Sequence, residues 1–423
     1  MNRNYGTRVL SEDYEVSNDT KLTGLNNNDL IIGATGSGKT GGYVIPNLQR
    51  TTHSMIVSDT KRNLYSMFRD DLEKRGFDVR VIDFVEPELS YGYNPLDYIR
   101  RNKDGSFREQ DIAVISRAIM PVMDVNEPFW EMAARTYISF LIAYVLETCE
   151  SYDYNLSKVM EKHTSYCRRS TRLEFEVYAK RNPDTLAARM YNRIAATESA
   201  DKMWASIMEF ATQALTPFDY REMRRIFKRP ERLDIASLGK TKTVLFINQS
   251  DTDQSFATVV NLFLTQVFQI LCAEADRQPD NRLRIPVRVV LDDFATGAVI
   301  PDFDKLVSVI RSRDVYVSII LQSISQLDSL YGSGSKGFSI SKTIVNNCDT
   351  ILFLGGQDEA TEHFVAKKCL KTEDTIHTKP VEKAYLMVAG MPGRLTNKIK
   401  PYSTLGERYS HETEVKENGY YFT

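Results

Sequence analysis

The chain has 423 residues and a formal net charge of -2, with 42% hydrophobic and 26% charged residues. That length gives room for two or three domains and a sizeable core, and 21 Gly with 14 Pro exclude collagen-like, low-complexity and wholly disordered classes. Because 54 Lys plus Arg stand against 56 Asp plus Glu, no global basic field exists and any nucleic-acid contact has to be local.

Five scattered cysteines without a CxxC pair point to neither a disulfide framework nor a zinc site, and fit a reducing cytoplasm. The start is too polar for a signal peptide. The longest apolar run noted, 137–146, is too short for a membrane span.

In chain order, β-branched runs predict strands at 30–32, 55–57, 79–84, 243–248, 287–291, 315–321 and 350–354, alternating with helix-like segments. This is the pattern of an α/β fold with a predominantly parallel sheet, whose ligands bind beyond the carboxyl ends of the strands. From Ser106 to Leu238 there is no glycine, where a uniform spread of the chain's 21 would put about six or seven. Turn-dense α/β segments need glycine and helices do best without it, so 107–228 is expected to be an all-α insertion between 1–106 and 229–423. Inside it Trp130, Ala133, Ala134, Tyr137, Ile138, Leu141, Tyr144 and Val145 recur at helical spacing. The tail after Pro401 is polar and expected to be peripheral.

Directly after the first of these strands comes Gly33-Ala34-Thr35-Gly36-Ser37-Gly38-Lys39-Thr40, a complete GxxxxGK[ST] loop. Its glycines let backbone N–H groups turn toward phosphate oxygens, Lys39 reaches the outer phosphates, and the Thr40 hydroxyl is placed to ligate Mg²⁺. The loop therefore predicts ATP and Mg²⁺ as cofactors. Gly41, Gly42 and Pro46 weaken the helix that follows, so packing has to hold its early part. Asp59 and Lys61 follow the next strand, where Asp59 either faces the nucleotide crevice or caps a helix. Arg221, Arg224, Arg225, Lys228, Arg229 and Arg232 form a basic run that suits either a phosphate backbone or a solvated helix face.

The strand at 287–291 ends in Asp292 and Asp293. Asp292 is placed to hold the metal and Asp293 to orient the attacking water, although most hydrolytic relatives carry the longer Glu there. A helix over 304–313, with Leu306, Val309 and Ile310 inward, leaves Arg311 and Arg313 at its end. Either is a candidate arginine finger acting across a subunit boundary, or a cation that compensates the helix C-terminus. Gln322 stands at the carboxyl end of the 315–321 strand, where an amide can sense the γ-phosphate.

The segments GATGSGKTGGYVIPNL, SDTKRNLY, YNPLDYI, EPFWEMAARTYI, VVLDDFATGAVIPDFDKLVSVIRSRDVYVSIILQSISQLDSLYG and TIVNNCDTILFLGG together resemble the TraG-like type IV coupling proteins of conjugation and type IV secretion, relatives of the FtsK and HerA translocases. The resemblance runs from about Asn26 to Gly356. It implies a RecA-like, hexameric ATPase with an inserted all-α domain, one that passes relaxase-bound single-stranded DNA to a membrane channel. Lys39 and Thr40 fall on the family's nucleotide lysine and metal-ligand threonine, Asp292 on its metal-side acid and Gln322 on its strand-end glutamine.

This sequence departs from the family at Asp293, and at Arg62 and Asn63, where relatives commonly have Gly-Glu. Relatives also usually carry paired transmembrane helices before the loop, whereas 32 residues precede Gly33 here. Cytoplasmic placement at the membrane's inner face, through relaxosome and channel partners, is therefore expected. The competing expectations are an ATP-gated docking adaptor that hydrolyses little, and a translocase for protein or double-stranded DNA.

Overall fold

The computed structural model describes residues 3–122, 127–195, 197, 200–250, 252–294, 299–332 and 339–400. The polar tail after Pro401 lies outside them. An N-terminal hairpin, β1 (Thr7–Ser11) and β2 (Tyr14–Ser17), leads through the short α1 (Thr20–Thr23) to β3 (Asp29–Gly33). The first half of the sheet domain continues with α2 (Ile45–Arg50), β4 (Ser54–Asp59), α3 (Leu64–Lys74) and β5 (Asp78–Asp83).

A large helical region is then inserted, comprising α4 (Glu109–Ile119), α5 (Phe129–Thr148), α6 (Leu156–Cys167), α7 (Arg169–Arg181), α8 (Leu186–Ala195), α9 (Asp201–Leu215) and α10 (Arg221–Lys228). Between α4 and α10 there is no strand among the described residues. The sheet resumes with β6 (Thr243–Asn248), α11 (Ala257–Ala275), β7 (Val287–Leu291), α12 (Phe303–Val309) and β8 (Val315–Leu321). It closes with α13 (Ile324–Tyr331), α14 (Ile340–Asn346), β9 (Thr350–Gly355), α15 (Glu359–Cys369), α16 (Glu373–His377), β10 (Lys383–Val388) and β11 (Arg394–Asn397).

The nine-stranded sheet has the order β11-β10-β9-β3-β8-β7-β4-β6-β5. From β9 to β5 every pairing is parallel, and β10 and β11 add antiparallel to one edge. Every strand expected from the sequence is present. Period-two alternation divides their side chains between two cores. Leu30, Ile32, Ile56, Val289, Val317 and Ile319 belong to the large core that takes in α11 and extends into the inserted helices, while Ile31, Met55, Val57, Val290 and Ile320 belong to the smaller one with the N-terminal hairpin, α2 and α3.

Within the insertion, α5 is buried almost all round from Tyr137 to Leu146, as expected of a bundle's central helix and not of an amphipathic one. The apolar segment that comes nearest to membrane-span length is α11, not 137–146. By length and composition α11 is a candidate span, but it is a core helix, with Leu262, Phe263, Val267 and Leu271 fully buried between the sheet and α4. The 304–313 helix also differs from expectation. It breaks at Val309 into a 3₁₀ turn over Ile310–Arg313; Phe303, Val307 and Ile310 are buried and Leu306 packs partly buried against the same core, but Val309 is half exposed.

Candidate nucleotide site

β3 delivers the 33–40 loop to the carboxyl edge of the sheet. Gly36 (φ 78°) and Gly38 (φ 91°) take left-handed conformations that a side chain disfavours, and these turn the loop back on itself. The Lys39 ammonium spans the loop, donating to the carbonyl oxygens of Gly33 (2.9 Å) and Ala34 (3.3 Å). Thr40 opens a π-helical turn, Thr40–Val44, before α2 begins. With Gly41, Gly42 and Pro46 in this stretch, packing supplies the order: residues 41–48 are buried. Tyr43 anchors the turn from below, its hydroxyl donating to Asp29 at 2.6 Å and lying 2.7 Å from Ser318 Oγ.

That anchor belongs to a buried charged cluster beneath the loop. Arg8 of β1 and Arg288 of β7, each only 1% exposed, share the Asp29 carboxylate at 3.0 Å apiece. Asn18, Asn27, Ser318 and Thr350 accept further N–H groups from the two guanidinium ions, while Arg288 Nε is left without a partner among the described residues. Buried cations survive only where paired and bonded in this way, so the cluster fixes the hairpin, the P-loop turn and strands β3, β7, β8 and β9 as one unit.

β8 lies between β3 and β7, and this brings the end of β7 beside the loop. There the Thr40 hydroxyl donates to Asp292 Oδ2 at 2.8 Å. Asp292 is 7% exposed, and burial together with the adjacent Asp293 charge pushes its carboxyl up to about 6, against the pull of Thr40 and Lys39. Asp293 donates its backbone N–H to Asp292 Oδ1 (3.1 Å) and sits at φ 50°, in the left-handed region that Asp tolerates better than most residues. Gln322 follows β8, one residue beyond the Ile32↔Leu321 register, so it stands level with Gly33. Its side chain is partly buried, and its backbone N–H donates to Gln326 Oε1 at 3.1 Å. From Asp292 a cleft continues along the carboxyl edge, lined by Ser58, Gln249, Ser250, Asp253 and Gln254.

The residues meet the requirements of a Mg²⁺-bound nucleoside triphosphate. Ser37 Oγ is buried with no hydrogen-bond partner among the described residues, and the loop around it is turned for an anion. The Thr40–Asp292 pair offers the hydroxyl and carboxylate oxygens that a hard cation takes.

Other sequence-selected residues lie elsewhere. Asp59 caps the entry to α3, accepting the Leu64 N–H at 2.7 Å. Lys61 is exposed beside it. Arg311 and Arg313 precede β8 and so stand at the opposite, amino edge of the sheet from Lys39. Arg311 donates to Gly24 O (2.8 Å) and Arg313 pairs with Asp276 (2.8 Å).

The basic run is largely engaged within the chain. Arg224 pairs with Asp219 (2.7 Å), Arg225 with Glu88, Arg232 with Asp97 (3.7 Å), and Arg229 donates to Pro87 O (3.0 Å). Arg221 and Lys228 remain without an ion pair among the described residues and line a shallow depression with Pro87 and Glu88. Sequence reasoning missed Gln249 and Asp253. Their signal was the polar run that follows β6, the same signal that marked Asp292.

Comparison with solved structures shows the same fold at low identity. The bacterial conjugative coupling protein TrwBdeltaN70, in its trigonal form with sulphate, superposes with a TM-score of 0.67 at 16% identity, covering 94% of this chain and 95% of that one. The plasmid coupling protein TrwB in complex with the ATP analogue ADPNP gives 0.65 at 17% identity, with 94% of each chain covered. VirB4 of Thermoanaerobacter pseudethanolicus gives 0.54 at 15% identity, covering 96% of this chain and 100% of that one. No curated protein matches the sequence. The family model for type IV secretory system conjugative DNA transfer matches residues 8–379, nearly the whole α/β domain with its helical insertion, and the chain therefore belongs to that family.

Proposed function

We propose that this chain is an ATPase that recruits relaxase-bound single-stranded DNA and drives it into a type IV secretion channel, acting as a homo-hexamer at the inner face of the membrane. The observation that carries the reading is the convergence of Lys39, Thr40 and Asp292 at one sheet edge, in a chain of the conjugative DNA transfer family. TrwB, which shares the fold, has been captured with ADPNP and with ADP and Mg²⁺.

In this reading the loop's N–H groups and Lys39 hold the phosphates. Thr40 and Asp292 hold Mg²⁺, which when bound neutralises charge on the phosphate oxygens. Asp293 orients the attacking water and Gln322 reports the terminal phosphate to β8. Arg311 or Arg313, remote from the site of its own chain, serves a neighbour's.

Lys39→Ala tests the assignment, because it removes a phosphate-facing charge and no core group. Nucleotide binding and turnover should be lost while the circular dichroism spectrum is retained. Undiminished turnover would remove the loop from the mechanism.

A further inference from the structure

Beside the phosphate loop stand two cations that the GKT motif does not include. The chain leaving β11 runs back across the P-loop, bringing the Ile399 carbonyl to 3.4 Å from where a Cβ on Gly42 would lie. In this return Lys398 Nζ donates to the backbone oxygen of Ser37 at 3.2 Å. Lys379 arrives from the other direction, before β10. Its Nζ lies 2.8 Å from the Cβ position of Gly355, whose carbonyl accepts the Ala34 N–H at 2.8 Å. Lys398 thus touches the loop itself at Ser37, the residue with the unpartnered hydroxyl, while Lys379 stands one residue further out, beside the Gly355 that bonds the loop's Ala34.

Neither lysine forms an ion pair among the described residues. Lys398 donates to Ser37 O, and Lys379 to Lys383 O (3.0 Å) and Pro380 O (3.5 Å). Both are partly buried, and Glu382 acts on both only through space. Burial, and then repulsion from Lys379, push the Lys398 ammonium down to about 8. Two desolvated cations held near each other, with neutral carbonyls as hydrogen-bond partners, leave local positive charge uncompensated. Beside a phosphate-binding loop, a bound polyanion would compensate it.

We propose that Lys398, supported by Lys379, is a second phosphate-binding cation of the nucleotide site, delivered by the strand return after β11 and acting alongside Lys39. The proposal rests on the nucleotide-site reading above. It makes the antiparallel edge of the sheet part of the site, so that the nucleotide pins the C-terminal return onto the P-loop.

The test is equilibrium binding of a non-hydrolysable ATP analogue with Mg²⁺, and of adenosine, to the full chain. Lys398→Met should weaken the triphosphate about ten-fold or more, the scale of one charge-assisted hydrogen bond. It should leave the melting temperature without nucleotide unchanged or raised, since a desolvated cation is removed, Lys398→Arg should keep most of the affinity, and Lys379→Met should show a smaller loss. Triphosphate binding by Lys398→Met within two-fold of wild type, while Lys39→Ala has lost it, would overturn the proposal and leave the P-loop reading standing. Equal losses in the Arg and Met variants, with a lowered melting temperature, would also overturn it, by making Lys398 a structural latch. If the wild-type chain binds adenosine as well as the triphosphate, it is the nucleotide-site reading itself that fails.

Discussion

Asp292 should be a stabilising position to mutate and a disabling one. Its carboxyl is raised from the ordinary 3.8 to about 6 by burial and by Asp293. Between those two pH values the folded protein holds a proton that the unfolded chain has released. Stability therefore falls as pH rises through that window, and above it the ionised Asp292 is a standing cost. A shift of about two units corresponds to about 3 kcal/mol at pH 7, roughly half of which is already present at pH 5, and none below pH 3.

Asp292→Asn keeps the shape and can still accept from Thr40, but it removes the charge. In urea unfolding of the nucleotide-free protein the variant should gain about 2–3 kcal/mol at pH 7 and approach wild type at the acid end. Its Mg²⁺-dependent turnover should be lost while nucleotide is still retained. A gain that does not vary with pH, or no gain at all, would refute the claim that burial and Asp293 hold this carboxyl up. Retained turnover would move the metal acid elsewhere.

Asp293→Ala should depress hydrolysis by orders of magnitude if this carboxylate orients water. Asp293→Glu should retain turnover at a small cost in stability, because the longer residue fits φ 50° less well; equal steady-state rates in all three proteins would favour a docking adaptor. Arg62 holds a left-handed backbone (φ 58°) with only a surface pair to Glu86, so Arg62→Gly should raise stability by roughly 0.5–1 kcal/mol in chemical denaturation. Mixing Lys39→Ala subunits with Arg311→Ala or Arg313→Ala subunits should recover ATPase activity that neither shows alone, since a finger contributes about 10³ to 10⁵ in rate. Silence under proven co-assembly would exclude a finger acting in trans.

What the sequence made legible was whatever a short window determines. Strands β3, β4 and β6 to β9 are largely apolar runs buried on both faces, β5 at the sheet edge alternates Asp78 and Arg80 with buried Val79 and Val81, and the glycine gap marked the inserted helices because turn chemistry is local. β10, Lys383–Val388, carries Ala, Leu and Met, which favour helices, and only its place against β9 makes it a strand. β1 contains Arg8, which looks like a surface residue until Asp29 and Asn27 are folded around it.

The site divides along the same line. Lys39 and Thr40 are adjacent in a motif, and Asp292 ends a recognisable strand, so each could be found alone. Their 2.8 Å contact is a property of the order β3-β8-β7, which no single window contains. Lys398 lies furthest from view, reaching Ser37 across 361 residues of chain through a return that exists only once β10 and β11 have paired. The parts of this site that sequence cannot show are those supplied by the sheet's antiparallel edge. Variants at Lys398 and Lys379 therefore test the tertiary half of the nucleotide site separately from its motif half.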